Sequence, residues 1–190
     1  AATGAGKHIH TLTEYGGNDI YIGADDGLIC YNTATHEWHR MTLDSKYEGS
    51  SLCDKFVYSI MRDHEGGTWF GTFYSGEYYL SPVTERFVSY TNGSDDASRL
   101  GNVVSRFCED HAGNVWIGSD DGGLSCYSMA TKRLKDYAGS SVLKRYNVHA
   151  LGFDGKNLWI GTYTNGVVKY DVRTGSMRRY TTADGPTGNS

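Results

Sequence analysis

Five residues with side chains suited to binding a hydroxyl-rich ring lie in short polar segments of the sequence. Tyr74 and Tyr163 can stack on the flat face of a sugar ring, and Asp120, Asp121 and Asn165 can bond to its hydroxyls. Two of these segments contain the Asp-Asp-Gly or Asn-Gly sequences that form tight turns. The acidic and amide residues are therefore also explained as turn formers, and the sequence leaves both interpretations open.

Three further candidates lie in longer segments of varied sequence. Arg99, Arg145 and Tyr146 carry charged or aromatic side chains that suit contacts with a ligand. Long loops on a rigid scaffold are where binding specificity usually resides, so these segments are expected to shape a binding site. They run over residues 44–55, 92–102 and 138–147.

The elements that must position these side chains are repeated four times along the chain. Each copy centres on an aromatic residue, then Ile or Phe, then Gly, and the glycines recur every 43 to 48 residues. This period is typical of β-propeller blades, whereas helical repeats are usually shorter and show a 3.6-residue periodicity. The four copies are Ile20–Gly23, Thr68–Gly71, Val115–Gly118 and Leu158–Gly161.

The sequence around each centre predicts three further strands. A strand and an acidic turn come before it, as in Val57–Asp63 followed by His64–Gly67. The Asp can bond backbone amides two residues on and the Gly can adopt a positive φ, which is the chemistry of a hairpin. A Gly-Leu or Gly-Val strand with a Tyr follows, as in Gly123–Tyr127, and a fourth short strand closes the unit, as in Met177–Tyr180.

The sequence therefore predicts an all-β chain of four four-stranded antiparallel blades. Because one such sheet cannot bury both faces, we expect the blades to stack, with Trp69, Trp116 and Trp159 packed between sheets rather than caging a ligand. Most propellers have more blades, so we expect part of a larger propeller, or a ring completed by a second copy. The predicted blades cover about residues 9–41, 57–90, 103–137 and 148–180, and residues 181–190 are interpreted as the lead-in to another blade.

Composition and charge narrow the classes of function. The 190 residues include 25 Gly, 15 Tyr and only 2 Pro, which suits short strands joined by tight turns. A net charge of −4 without a basic stripe argues against nucleic acid as a partner, and no apolar run approaches a membrane span. The four cysteines and seven histidines lack metal-ligand spacing, so we predict no metal or cofactor and interpret the cysteines as small buried apolar residues.

The repeats resemble the two-component regulator propeller repeat. The shared pattern is a strand, then Asp-x-x-Gly-x-Val/Leu-Trp-Ile-Gly-Thr, then Gly-Leu-x-x-Tyr, and its clearest copies are Glu109–Ser119 and Asp154–Thr162. The resemblance covers essentially the whole chain. Tyr21 replaces the Trp of the first copy, and the second copy departs at Phe70 and over Glu77–Leu80, which leaves the packing of that strand open.

The resemblance implies a sensor. In that family such repeats form the periplasmic sensor part of hybrid two-component histidine kinases, and the typical ligands are oligosaccharides from complex glycans. The chain is then expected to be a periplasmic, ligand-sensing segment of a propeller without phosphotransfer activity of its own. The implied partners are an oligosaccharide, the remaining blades and signalling domains of the parent chain, and possible second copies of the chain.

Two other classes of function remain open. One is a propeller glycosidase, sialidase or lyase, since Asp63–Trp69 is similar to the Asp-box turn of sialidases. However, its Asp-to-Trp spacing is one residue longer, and the repeat explains Asp63, Asp110 and Asp154 as turn residues, so no pair of carboxylates for glycoside hydrolysis stands out. The other is a protein–protein interaction platform, which nothing in the sequence excludes.

Overall fold

A computed structural model of the chain describes residues 8–41, 56–83, 87–90, 101–136, 143 and 146–185. Within these residues, sixteen β-strands form four antiparallel sheets, each of four strands in sequence order. The predicted all-β fold with four four-stranded blades is therefore confirmed. The chain divides into two compact units, Ala1–Tyr90 (unit 1) and Thr91–Ser190 (unit 2), and each contains two sheets. We number the sheets as blades 1 to 4 and letter their strands A to D in chain order.

Unit 1 contains blades 1 and 2. The strands of blade 1 are Ile9–Gly16 (β1), Asp19–Ala24 (β2), Gly27–Asn32 (β3) and Trp38–Arg40 (β4). The strands of blade 2 are Val57–Arg62 (β5), Thr68–Thr72 (β6), Glu77–Leu80 (β7) and Phe87–Tyr90 (β8). Glu77–Leu80 pairs in regular register with both of its neighbours, so the unusual sequence of this strand does not disturb the sheet.

Unit 2 contains blades 3 and 4. The strands of blade 3 are Val104–Glu109 (β9), Asn114–Ser119 (β10), Gly123–Ser128 (β11) and Arg133–Asp136 (β12). The strands of blade 4 are Val148–Phe153 (β13), Asn157–Thr162 (β14), Val167–Asp171 (β15) and Met177–Tyr180 (β16), and a 3-10 turn follows at Thr182–Asp184. None of the described residues forms a helix that is long and apolar enough to cross a membrane.

Each unit has an apolar core between its two sheets. Alternate residues of a strand point to opposite faces, so each inner strand can contribute to packing on both sides of its sheet. The cores are built mainly from strands B and C of the two blades. In unit 1 the buried core residues are Tyr21, Leu28, Cys30, Val57, Phe70, Tyr78 and Leu80. In unit 2 they are Trp116, Leu124, Cys126, Leu143, Val148, Leu158, Ile160, Val168 and Tyr170.

Two of the four cysteines are buried in these cores, as predicted. Cys30 and Cys126 are buried, while Cys108 is half-buried and packs against the core of unit 2. Burial raises the pKa of the Cys126 thiol to about 12. These side chains therefore behave as small hydrophobic residues, and Cys53 lies outside the described residues.

In blades 1 and 3, the glycine that ends the sequence centre permits a close approach of the next blade. A Cβ atom on Gly118 would lie 2.5 Å from Cγ1 of Val148, the residue that opens strand A of blade 4. A Cβ atom on Gly23 would lie 2.7 Å from the carbonyl oxygen of Val57, which opens strand A of blade 2. Both distances are shorter than any real contact of a Cβ atom, so each unit requires a residue without a side chain at this position.

In blades 2, 3 and 4, the aspartate before the hairpin of strands A and B holds both the turn and the tryptophan. In blade 3, Oδ1 of Asp110 accepts hydrogen bonds from the amides of Ala112 and Asn114, both at 2.9 Å. Oδ2 of Asp110 accepts a bond from Nε1 of Trp116, also at 2.9 Å. The turn bonds were expected from the sequence, whereas the bond to the indole was not. The same bond to the indole links Asp63 to Trp69 at 3.0 Å and Asp154 to Trp159 at 2.7 Å.

Candidate functional site

The turns between strands B and C lie at the same edge of each sheet as the first residues of strand A. We call this edge the loop edge of the blade. It carries the two tyrosines that the sequence indicated as ring-stacking residues, Tyr74 in unit 1 and Tyr163 in unit 2. Their side chains are among the most exposed large residues described, at 70% and 69%. Both are therefore available for contact with a ligand.

In unit 2, Tyr163 is one of three neighbouring side chains at the loop edge. Its ring lies 5.4 Å from that of His149, measured between ring centroids and tilted by 33°. Nε2 of His149 lies 3.1 Å from Oδ1 of Asp120, which is an ion-pair distance outside hydrogen-bond geometry. Asp120 comes from blade 3, whereas His149 and Tyr163 come from blade 4. We call these three residues the unit 2 group.

The charge of the unit 2 group depends on its surroundings. Burial raises the pKa of Asp120, the neighbouring His149 and Arg106 oppose this rise, and the adjacent Asp121 adds to it. The carboxyl group is therefore partly desolvated and held beside an imidazole rather than freely hydrated. Such an arrangement offers an acceptor and a donor close together beside an exposed aromatic ring, which is what recognition of a ring with hydroxyl groups requires.

A β-bulge places His149 at this edge. The pairing of strands A and B in blade 4 shifts between Val148 and Ala150, so His149 is the extra residue. Blades 1 and 2 have the same shift, and there the extra residues are His10 and Tyr58. None of these three residues was predicted from the sequence as a site residue. Their signal is positional, because each directly follows the apolar residue that opens strand A.

Unit 1 carries a related pair of histidines on one aspartate. Nδ1 of His8 lies 2.5 Å from Oδ2 of Asp25, and Nε2 of His10 lies 2.5 Å from Oδ1. These hydrogen bonds, first from His8 and then from His10, lower the pKa of Asp25. Asp25 stands two residues after Gly23, as Asp120 stands two residues after Gly118. The aspartate and the bulge histidine therefore occur at the loop edge of both units.

Two other predicted site residues are engaged in local structure. Both carboxylate oxygens of Asp121 accept backbone bonds, from the amide of Asn102 at 3.0 Å and from that of Val103 at 3.1 Å. The backbone amide of Asn165 donates to the hydroxyl of Thr162 at 3.0 Å, and this bond closes the turn between strands B and C. These contacts give Asp121 and Asn165 a role in shaping the loop edge beside the unit 2 group.

The remaining predicted site residues lie elsewhere. Tyr146 is half-buried and packs against the core of unit 2 with Cys108 and Leu151. Arg99 and Arg145 lie outside the described residues, as do most of the longer segments predicted to shape the site. A role in binding for these three residues stays a prediction.

The described residues contain no cluster of three or more His, Cys, Asp or Glu side chains suited to a metal ion.

The sequence matches one family model in two places. The model is that of the two component regulator propeller, and it matches residues 51–74 and 98–121. These stretches contain strands A and B of blades 2 and 3, including the centres Thr68–Gly71 and Val115–Gly118. The two matched stretches together cover about a quarter of the chain. A search of the curated proteins found no match.

Solved structures with a similar fold include the extracellular domains of two putative hybrid two component systems. The extracellular domain of the putative hybrid two component system BT3049 from B. thetaiotaomicron is 24% identical with a TM-score of 0.74, over 92% of this chain and 23% of that one. The corresponding domain of BT4673 is 14% identical with a TM-score of 0.55, over 94% and 30%. The computationally designed Ika8 protein is 18% identical with a TM-score of 0.60, over 89% and 47%. The chain thus spans about a quarter to a half of the length of these structures.

Proposed function

We propose that this chain is part of the ligand-sensing propeller of a hybrid two-component histidine kinase, and that it recognises an oligosaccharide. The repeats match the two component regulator propeller, and two structures of similar fold are extracellular domains of putative hybrid two component systems. The observation that carries the choice of ligand is the unit 2 group, in which exposed Tyr163 lies beside the close pair of His149 and Asp120.

The chemistry of this group fits a sugar ring. A pyranose has an apolar face of C–H groups and a rim of hydroxyls, so it needs an aromatic surface and hydrogen-bonding groups near one another. Tyr163 supplies the surface, and Asp120 and His149 supply an acceptor and a donor for neighbouring hydroxyls. Asp121 and Asn165 hold the two turns that present them.

The proposed setting is the periplasm, with the kinase and further blades in the rest of the parent protein. The parent protein would then transmit the signal of ligand binding. The segment itself would have no phosphotransfer activity. A second copy of the chain is a further proposed partner. It would bind through the face of blade 4 that carries Trp159 and Val167, which we call the outer face of blade 4.

Calorimetry with linear hexasaccharides of glucose, xylose, mannose, galactose and fructose tests this proposal. We expect at least one to bind, and Tyr163→Ala to weaken binding about tenfold, since an aromatic contact contributes on the order of 1 kcal/mol. Arg173→Ala is the matched control, because Arg173 is exposed at the opposite edge of blade 4. Absence of binding to every sugar would overturn the proposed ligand, and unchanged affinity of Tyr163→Ala would overturn the proposed site.

A further inference from the structure

Unit 1 has a continuous series of aromatic rings at its loop edge. The ring of His10 lies 4.9 Å from that of Tyr58, Tyr58 lies 5.8 Å from Phe73, and Phe73 lies 4.7 Å from Tyr74. Phe56 joins the series from the side, with its ring 6.1 Å from those of both Phe73 and Tyr74. We call these five residues the aromatic ridge. Only Tyr74 among them was indicated by the sequence.

The ridge is held in place by hydrogen bonds within blade 2. The amide of Phe73 donates to the carbonyl of Phe56 at 3.0 Å, which ties the turn between strands B and C to the start of strand A. The hydroxyl of Thr72 donates to the carbonyl of Gly76 at 2.8 Å and accepts a bond from the amide of Ser75 at 3.0 Å. The turn that carries Phe73 and Tyr74 is thus fixed at both of its ends, and the rings are preorganised.

None of the five rings is buried. Tyr58, Phe73 and Phe56 are half-buried, while His10 and Tyr74 are exposed. The core of unit 1 uses a different set of residues, and none of the five belongs to it. Contiguous aromatic surface that is left open to solvent in this way typically marks a binding site.

One end of the ridge is polar in a defined way. Nε2 of His10 lies 2.5 Å from Oδ1 of Asp25, whose other oxygen is bonded to His8. A carboxylate accepts hydrogen bonds, so Nε2 of His10 carries the hydrogen of this contact. The ridge therefore combines apolar ring faces with the hydroxyls of Tyr58 and Tyr74 and with the imidazole of His10.

We propose that the aromatic ridge is a second carbohydrate-binding site, which takes several successive sugar rings of one glycan chain. This proposal rests on the proposed function, which supplies the chemistry of the ligand. The ridge differs from the unit 2 group because it is longer. The unit 2 group offers one exposed aromatic ring, whereas the ridge offers a series of adjacent rings with a polar end. A chain of flat rings with apolar faces and polar rims is the ligand that matches such a series.

Single tryptophan reporters test this proposal on the whole chain. Tyr74→Trp places an indole on the ridge, Tyr163→Trp places one at the unit 2 group, and both keep a surface on which a sugar can stack. Val83→Trp is the matched control, since Val83 is 88% exposed in the turn between strands C and D of blade 2, away from the loop edge. Fluorescence of each variant is titrated with the di- and hexasaccharides of glucose, xylose, mannose, galactose and fructose, and the signal of the parent chain is subtracted.

We expect a hexasaccharide to change the fluorescence of Tyr74→Trp, to bind at least about tenfold more tightly than its disaccharide, and to leave Val83→Trp unchanged. A response of Tyr163→Trp without any response of Tyr74→Trp would overturn the second site and leave the proposed function intact. Silence of both reporters, together with no heat in calorimetry, would overturn both proposals. Equal affinity of the Tyr74→Trp ridge for disaccharide and hexasaccharide would contradict the extended site.

Discussion

At the scale of single residues, the hydrogen bond that the indole donates to aspartate gives blades 2, 3 and 4 a contact that can be tested. Trp116 is 1% exposed, and its Nε1 donates to Asp110, which also holds two amides of the turn. Asp110→Ala removes the two carboxylate oxygens that accept these three hydrogen bonds in a buried region. We expect it to lower the free energy of unfolding by about 2 to 3 kcal/mol, measured by urea denaturation.

Blade 4 offers a matched comparison for this loss. Trp159 is half-buried, so water can take over the bond that Asp154 makes to its indole. Asp154→Ala should therefore cost clearly less stability than Asp110→Ala. Equal losses in the two variants would contradict the view that burial of the indole determines the cost.

Glu77 is an acidic residue in a fully buried position, where an apolar side chain is expected. It pairs with Gly71 as Leu28 pairs with Gly23 and Leu124 with Gly118, yet it is a fully buried glutamate. Neither of its carboxyl oxygens has a hydrogen-bond partner among the described residues. Glu77→Leu should therefore raise the free energy of unfolding by about 2 kcal/mol at pH 7, measured by urea denaturation. A destabilised variant would show that the carboxyl group has a stabilising partner.

The pH dependence of this effect has a defined sign. Burial raises the pKa of Glu77 well above its usual value, so the folded chain holds a proton that the unfolded chain releases above about pH 4. The parent should be as stable as Glu77→Gln near pH 4 and should become progressively less stable than this variant as the pH rises towards 8. Urea denaturation of both chains across this range checks the sign, and a constant difference would contradict it.

At the scale of strands, the repeated glycine makes the packing of neighbouring blades testable. Gly118→Ala would force a Cβ atom against Val148 of the next strand A, and overpacking of this kind costs about 1 to 3 kcal/mol. Gly152→Ala is the control, since a Cβ atom there meets nothing within 4 Å. We expect the first variant to melt at a lower temperature and the second to match the parent or exceed it. Similar melting temperatures for Gly118→Ala and the parent would show that the sheets can move apart without cost.

The strands were largely predictable because their signals are local. The aromatic centre recurs every 43 to 48 residues, and a turn with Asp and Gly precedes it in blades 2 to 4. The observed strands, such as Met177–Tyr180, coincide with the predicted ones. Even Glu77–Leu80 forms its strand, since pairing with strands B and D outweighs the unusual side chains. The preferences of the residues for strands and turns agree with the repeat at almost every position. This agreement allows the strands to be predicted from the sequence.

The candidate site was predictable only in part. Tyr74, Tyr163 and Asp120 lie in turns that the sequence marks, and the structure places all three at the loop edge. His149 and His10 became candidates only through β-bulges, which depend on the pairing of two strands. Their position after the first apolar residue of strand A does not by itself identify a bulge. The longer segments with Arg99 and Arg145 lie outside the described residues, so their contribution stays a prediction.

At the scale of the whole molecule, the outer face of blade 4 resembles an interface without its partner. Val167 occupies the register position of Leu124 beside the glycine of strand B, yet it is 40% exposed whereas Leu124 is 0% exposed. Trp159 on the same face is half-buried, whereas Trp116 of blade 3 is 1% exposed. A face of this kind normally packs against another sheet, and exposed apolar surface favours association.

We therefore expect copies of the chain to associate through this face, giving a dimer that dissociates on dilution. Val167→Asp introduces a charge at the centre of the apolar surface and should shift the chain to monomer, measured by size-exclusion chromatography with light scattering over a range of concentrations. Thr131→Asp is the control, because it adds the same charge at an exposed turn between strands C and D of blade 3 and should leave association unchanged. A parent chain that remains monomeric at every concentration would exclude a second copy as the partner of blade 4. That result would favour a further blade of the parent protein as the sheet that covers Trp159 and Val167.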